Sequence, residues 1–135
     1  MFVRNRTGAP WREWGGLVSR IMLQEGDVPE VGLAAAWVEV APGSRHRLHE
    51  HVSEQVYVIV QGRGIMRVGD EERWVEEGDL VYVPGGALHG IENASEGALV
   101  YVSAATPAID AVAAYDTGRL RERPREERGG GRAHG

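Results

Sequence analysis

The sequence predicts an all-β domain, either a sandwich or a barrel. Short segments rich in β-branched and aromatic residues recur along the chain, as at residues 55–60. Glycine- and proline-containing turns separate these segments, as at residues 41–44 and 69–72. No sustained helical period interrupts them before residue 106. At 135 residues the chain has the size of one domain with one hydrophobic core.

The predicted strands fall into two regions. Residues 1–30 form an N-terminal segment, in which residues 17–23 are predicted to add a strand to the barrel or to a dimer interface. Residues 31–105 form the barrel itself. Its predicted strands, in chain order, are 31–40, 55–60, 65–68, 73–75, 80–83, 88–92 and 98–103.

A short C-terminal helix is predicted over residues 106–118. Thr106 suits the N-cap, Pro107 suits the first helical position, and Gly118 can end the helix. Residues 119–135 follow as an arginine-rich tail with a net charge of +3, whereas residues 1–118 have a net charge of −8. Glutamates are interleaved with these arginines and the body of the chain would repel phosphate, so we expect a disordered, solvated tail and no nucleic-acid partner.

The composition excludes several classes of function. The chain has no cysteine, which rules out disulfides, thiolate nucleophiles and cysteine–zinc sites. It has no lysine either, so a lysine Schiff base is excluded. The N-terminus lacks the apolar core of a signal peptide, and no apolar run approaches the length of a membrane span. We therefore expect a cytoplasmic protein without a membrane partner.

Three of the five histidines form the most informative pattern in the chain. His49 and His51 are separated by one residue, Gln55 follows, and His89 comes after the turn at residues 84–86. If strand alternation runs unbroken from His49 to residue 59, then His49, His51, Gln55 and Tyr57 share one face. Imidazole nitrogens and an amide oxygen suit a divalent transition metal ion, namely Mn, Fe, Ni, Co or Zn. The alternative is a set of buried polar residues in a barrel that binds no metal.

The same residues resemble the two sequence motifs of the cupin superfamily. The spacing Gly43-x5-His49-x-His51-x3-Gln55-x6-Gly62 is similar to the first motif. The spacing Gly78-x5-Pro84-x-Gly86-x2-His89-x3-Asn93 matches the second, and only residues 63–77 separate the two. The resemblance implies a small single-domain cupin with a double-stranded β-helix (jelly-roll) barrel, often a homodimer. It also implies the metal ligands His49, His51, Gln55 and His89, while Gly78, Pro84, Gly86 and Asn93 are interpreted as turn-makers.

One residue departs from the family pattern. The first motif usually has glutamate where this chain has Gln55, and the adjacent Glu54 could replace it only if the strand register slipped. We expect Gln55 to coordinate through its side-chain oxygen. A shell of three histidines and one glutamine is neutral, so the ion would keep its full positive charge and acidify a bound water more strongly. Since Gln55 cannot accept a proton, Tyr57 is the candidate catalytic residue for proton transfer.

The sequence leaves the function open among three hypotheses. The first is a metal-dependent isomerase, decarboxylase or dioxygenase acting on a small sugar, sugar acid, or keto or carboxylic acid. The second is a non-catalytic module that binds a metal and a small ligand. The third is a sensor domain, which would need a partner chain because the sequence contains no helix-turn-helix segment. An ion with open coordination positions in a barrel favours the enzyme.

Overall fold

A computed structural model describes residues 1–49, 53–108 and 112, without the side chains of residues 46–49. Strands account for most of this part of the chain, and a 3₁₀ turn at Arg6–Gly8 precedes them. The strands are β1 (Trp11–Trp14), β2 (Leu17–Leu23), β3 (Ala34–Val40), β4 (Arg45–His49), β5 (Glu54–Gln61), β6 (Arg63–Val68), β7 (Glu71–Glu76), β8 (Leu80–Val83), β9 (His89–Glu92) and β10 (Leu99–Thr106).

The strands form two antiparallel sheets. The larger sheet has the order β1-β2-β3-β10-β5-β8, and the smaller has the order β4-β9-β6-β7. One hydrophobic cluster joins their inner faces, with Val38, Tyr57 and Tyr101 from the larger sheet against Met66 and Ile91 from the smaller. The sheets therefore pack face to face around a single core, and the prediction of an all-β domain is confirmed.

Two connections between strands depend on particular residues. Gly62 joins β5 to β6 at a φ of 78°, and a Cβ there would collide with the carbonyl oxygen of Ala98. Asn93 follows β9 and is fully buried. Its Nδ2 donates to the carbonyl oxygens of Val40 at 2.9 Å and Gly97 at 2.8 Å, and its Oδ1 accepts from the Ser95 amide. Asn93 thus fixes the end of β9 against β3, which supports its interpretation as a turn residue.

Several boundaries differ from those predicted. β1 was not predicted, although residues 17–23 do form the expected extra strand, which lies between β1 and β3 in the larger sheet. β3 begins three residues later than predicted, and β10 continues to Thr106, where the helix was expected to start. Neither Pro107 nor Ala108 is helical. Val112 is helical, but the rest of the predicted helix and the tail at residues 119–135 lie outside the described residues.

No helix in the part of the chain that the structure describes is long and apolar enough to cross a bilayer.

Candidate metal centre

His89 is the best-defined member of the predicted metal site. It begins β9, and its side chain is fully buried. Its Nδ1 lies 2.8 Å from the carbonyl oxygen of Ala87. A carbonyl oxygen only accepts hydrogen bonds, so Nδ1 donates here, and Nε2 is the nitrogen placed to bind a metal. This is the arrangement of a metal-binding histidine, whose second nitrogen is oriented by a backbone carbonyl.

The turn before His89 sets this geometry. The amide of Ala87 donates to the carbonyl oxygen of Pro84 at 3.2 Å, which closes the turn. Gly86 has a φ of 81°, a backbone conformation that favours glycine. The turn therefore places the Ala87 carbonyl oxygen within hydrogen-bond distance of the His89 ring. The interpretation of Pro84 and Gly86 as turn-makers agrees with the structure.

The backbone brings His49 beside His89. β4 and β9 are neighbours in the smaller sheet, and His49 and His89 are Cα partners in the antiparallel register. The side chain of His49 and the whole of His51 lie outside the described residues. Within the described residues no three His, Cys, Asp or Glu side chains form a metal-binding group. The assignment of His49 and His51 as ligands thus stays a prediction.

Gln55 and Tyr57 face the core from the other sheet. Tyr57 is fully buried on β5, and its ring meets the His89 ring edge to face at 6.1 Å between centroids. Tyr101 also stacks on the Tyr57 ring, at 4.6 Å between centroids. Gln55 is half-buried and lies two residues before Tyr57, so alternation places both on the inner face of the larger sheet.

One expectation about the strand is wrong. His49 and Gln55 were expected to lie on one continuous alternating strand, but His49 ends β4 in the smaller sheet and Gln55 lies on β5 in the larger. The chain therefore passes from one sheet to the other between these residues. Because the two sheets face each other, the change of sheet keeps both residues beside the same core.

Glu54 is excluded from the inner face. It is exposed, and its Oε2 accepts a hydrogen bond of 3.0 Å from the hydroxyl of Tyr82 on the outer side of β8. This hydrogen bond raises the pKa of Tyr82, since losing the phenolic proton would leave two negative charges side by side. β5 is in regular register with β8 from Gln55 to Val58, so no slip exchanges Glu54 with Gln55.

The described donors fit a divalent transition ion. His89 offers an imidazole with a fixed tautomer, and Gln55 offers an amide oxygen on the facing sheet. Both are neutral, and both donor types bind first-row metals. Small residues beside them were missed at the sequence level: Ala34, Ala36, Ser103 and Ala105 also face inward. Their only sequence signal is the pair of short runs Ala34–Ala36 and Ser103–Ala105 within β-rich segments.

Comparisons with known proteins agree with this geometry. A family model described as a cupin domain matches residues 36–105. An uncharacterized protein of Methanocaldococcus jannaschii is 35% identical over 85 residues, which cover 62% of this chain and 68% of that protein. Dimethylsulfoniopropionate lyase DddW of Ruegeria pomeroyi is 32% identical over 75 residues, or 53% of this chain and 49% of the lyase. This chain therefore aligns with about half of the lyase's length.

Solved structures share the fold. An RmlC-like cupin from Shewanella frigidimarina has a TM-score of 0.71 and 18% identity, covering 83% of this chain and 96% of that one. A predicted oxalate decarboxylase from Thermotoga maritima has a TM-score of 0.70 and 20% identity, covering 79% of this chain and 99% of that one. At such identities the likeness concerns the fold alone, and it confirms the predicted jelly-roll barrel.

Proposed function

Because the chain belongs to the cupin family, whose domain model matches residues 36–105, we propose that it is a metal-dependent enzyme acting on a small polar molecule. The observation that supports this most is the environment of the buried His89. Its Nδ1 hydrogen-bonds to the carbonyl oxygen of Ala87, and the residue pairs with His49 in the register of β4 and β9. The Cα pairing of His49 with the buried His89 is the reason we propose His49 as a second imidazole ligand.

The proposed ligands are His49, His51, Gln55 and His89. They would hold one divalent transition ion, Mn, Fe, Ni, Co or Zn, between the two sheets. Such an ion would supply electrophilic activation and open coordination positions for a chelating substrate. No ligand in this set has a negative side chain, because Glu54 is turned to the outer surface by its hydrogen bond to Tyr82.

Tyr57 is the proposed proton-transfer residue. Its ring contacts both the His89 ring and the Tyr101 ring, which restricts its motion. A phenol within reach of a bound substrate can donate a proton or, once ionised, accept one. Gln55 can do neither, whereas Tyr57 packs against His89 and can exchange a proton.

The names of two related proteins bear on the reaction class. One relative is named as a lyase and one structural neighbour as a predicted oxalate decarboxylase, and both names describe bond cleavage in small acids. A shared fold does not determine the reaction. We therefore propose an isomerase, decarboxylase or dioxygenase type of reaction on a sugar, a sugar acid, or a keto or carboxylic acid.

Elemental analysis of the purified full chain tests the metal site first. We expect about one transition ion per chain, and a loss of most of it in His89→Ala and His51→Ala. Glu54→Gln is the matched control, because its carboxylate lies on the outer face and its loss should leave the metal content unchanged. Equal metal content in His89→Ala and wild type would refute the centre.

A substrate screen then separates enzyme from binding module. The metal-loaded chain would be incubated with sugar acids and keto acids while products are followed by mass spectrometry. Product formation supports the enzyme. Ligand binding that Tyr57→Phe leaves intact, with no product from any compound, would favour a non-catalytic module.

We also propose that two copies pair through the outer face of β5 and β8. Val58 and Leu80 are cross-strand partners on that face, and Leu80 and Tyr82 are 62% and 53% exposed. β8 is an edge strand of the larger sheet. An exposed apolar patch of this kind marks an interaction surface, and a two-fold axis would place it against itself.

Light scattering after size exclusion tests the pairing. Wild type is expected to elute as a dimer and Leu80→Glu as a monomer, because two carboxylates would meet at the two-fold contact. Trp74→Gln is the matched control, since Trp74 is also exposed but lies on β7 of the smaller sheet. A monomeric wild type would contradict the pairing.

A further inference from the structure

The inner face of the larger sheet changes in side-chain size from one end to the other. Residues that are cross-strand partners form rows across this face. From the end at Val40 to the end at Ala34, the rows are Leu17–Val40–Leu99, Ser19–Val38–Tyr101–Ile59, Ile21–Ala36–Ser103–Tyr57–Val81 and Ala34–Ala105–Gln55–Val83. In the first two rows β3, β10 and β5 contribute only valine, leucine, isoleucine and tyrosine, whereas β3 and β10 contribute only alanine and serine to the last two.

On β3 and β10 burial follows the same change, whereas Tyr57 and Val83 on β5 and β8 stay fully buried. Val40, Leu99 and Tyr101 are at most 1% exposed. Ala34, Ala36 and Ala105 face the same interior but are only half-buried. Inward-facing side chains of a small barrel normally fill it. Among the described residues, solvent therefore reaches the interior beside these alanines, and we call this the open end.

This open end borders the proposed metal centre. Ser103 is the cross-strand partner of Tyr57, and Ala105 is the partner of Gln55. Tyr57 in turn contacts His89 from the smaller sheet. A molecule bound at the ion would therefore have its far side against Ala34, Ala36, Ser103 and Ala105, which we name the alanine wall.

The alanine wall offers little to a hydroxylated ligand. Three of its four side chains are methyl groups, and Ser103 has the single hydroxyl. A sugar or sugar acid has hydroxyls around its whole ring, and each hydroxyl buried without a hydrogen-bond partner weakens binding. A compact acid with a short uncharged body leaves no hydroxyl unpaired when it packs against methyl groups, and its carboxylate can bind the ion.

On this basis, and resting on the metal-dependent function proposed above, we infer that the alanine wall selects small carboxylic or keto acids and rejects sugars and sugar acids. The wall acts by shape and by the absence of hydrogen-bond partners. Ala36 is the central position, since it is the cross-strand partner of Ser103 and packs against the core.

Calorimetric titration of the Ni²⁺-loaded full chain tests the selection. The two probes are 2-oxobutyrate, a small keto acid, and galacturonate, a sugar acid. We expect 2-oxobutyrate to bind at least roughly tenfold more tightly, the discrimination that a few unpaired polar groups produce. Equal or tighter binding of galacturonate would overturn the inference, and this comparison needs no variant.

Substitutions then locate the selecting surface. Ala36→Leu, which fills the open end, should weaken 2-oxobutyrate at least roughly tenfold, and Ala36→Val should weaken it less. Ala35→Leu is the matched control, because Ala35 is the chain neighbour on the opposite face of β3, and it should change the affinity less than about twofold. Unchanged binding in both Ala36 variants would overturn the inference.

Metal analysis of each sample distinguishes a failure of the proposed metal-dependent function from a failure of the ligand selection. A wild-type chain that takes up no Ni²⁺ overturns the proposed function and the selection together. A wild-type chain that holds the ion but prefers galacturonate overturns the selection alone.

Discussion

Tyr57 and His89 meet edge to face across the two sheets, with ring centroids 6.1 Å apart and ring planes at 88°. The contact joins β5 of the larger sheet to β9 of the smaller sheet, inside the single core. Tyr101 stacks on the Tyr57 ring at 4.6 Å, so the tyrosine ring packs against both rings. One aromatic neighbour of the buried histidine is thereby a residue that can exchange a proton.

Tyr57→Phe should separate packing from chemistry. The phenylalanine ring keeps both ring contacts, so metal content and thermal stability should stay close to wild type. If Tyr57 transfers a proton, kcat should fall by about 10²- to 10⁴-fold. Steady-state kinetics on the substrate found by the screen gives the measurement, with Tyr101→Phe as control. A Tyr57→Phe variant with wild-type kcat would remove Tyr57 from the mechanism.

Substitutions of Gln55 should change metal retention in opposite directions. Gln55→Leu removes an oxygen donor and should lower the affinity for the ion by at least about tenfold. Gln55→Glu replaces a neutral donor with a negatively charged one, so the ion should resist removal by a chelator for longer than in wild type. Metal content after timed chelator exposure measures both effects. Equal retention in Gln55→Leu and wild type would show that this residue is not a ligand.

The sequence predicted the inner face of β5 well. Alternation of Gln55, Tyr57 and residue 59 toward the core follows from the two-residue period of a strand, and the burial of Tyr57 and Ile59 agrees with it. The same rule failed before Gln55, because His49 ends a strand of the other sheet. A change of sheet leaves no periodic signal in the sequence.

The open end of the barrel could not be predicted in the same way. Alanine has a weak strand preference, so the runs at 34–36 and 103–105 gave no clear signal. Their importance comes from register, since Ala36 and Ser103 become cross-strand partners only when β3 and β10 pair. These strands are far apart in the chain, and nothing local specifies the pairing. β1 was missed for a related reason, because it is a short edge strand with exposed residues.

Asn93→Ala should destabilise the fold without changing the metal site. Asn93 is buried, and its side chain satisfies the carbonyl oxygens of Val40 and Gly97. Removing the amide leaves these two carbonyl oxygens without their hydrogen-bond donor, which should lower the free energy of unfolding by about 2–4 kcal/mol. Urea unfolding measures the change. Ser95→Ala, which removes a less buried partner of Asn93, is the control and should cost less. A loss below about 0.5 kcal/mol would contradict the structural role of Asn93.

The ion pair between Arg4 and Asp27 should make stability depend on pH in the acid range. Arg4 Nη1 lies 2.8 Å from Asp27 Oδ2, and the pair fastens the N-terminal segment beside the end of β2. The hydrogen bond from Arg4 lowers the pKa of Asp27 below its ordinary value of 3.8, partly opposed by burial, and the amide of Gln24 and the Arg4 charge lower it further.

A lowered folded-state pKa fixes the sign of this effect. The stabilisation is present in full above pH 3.8 and is lost as the pH falls through the folded-state pKa of Asp27. The pair is partly exposed, so its contribution should be about 1 kcal/mol or less. Urea unfolding of wild type and Arg4→Gln should therefore differ near neutral pH and converge in strong acid. Asp27→Asn should show the same loss near neutral pH. A difference between wild type and Arg4→Gln that stays constant across this range would show that Asp27 ionisation does not contribute to the stability of the fold.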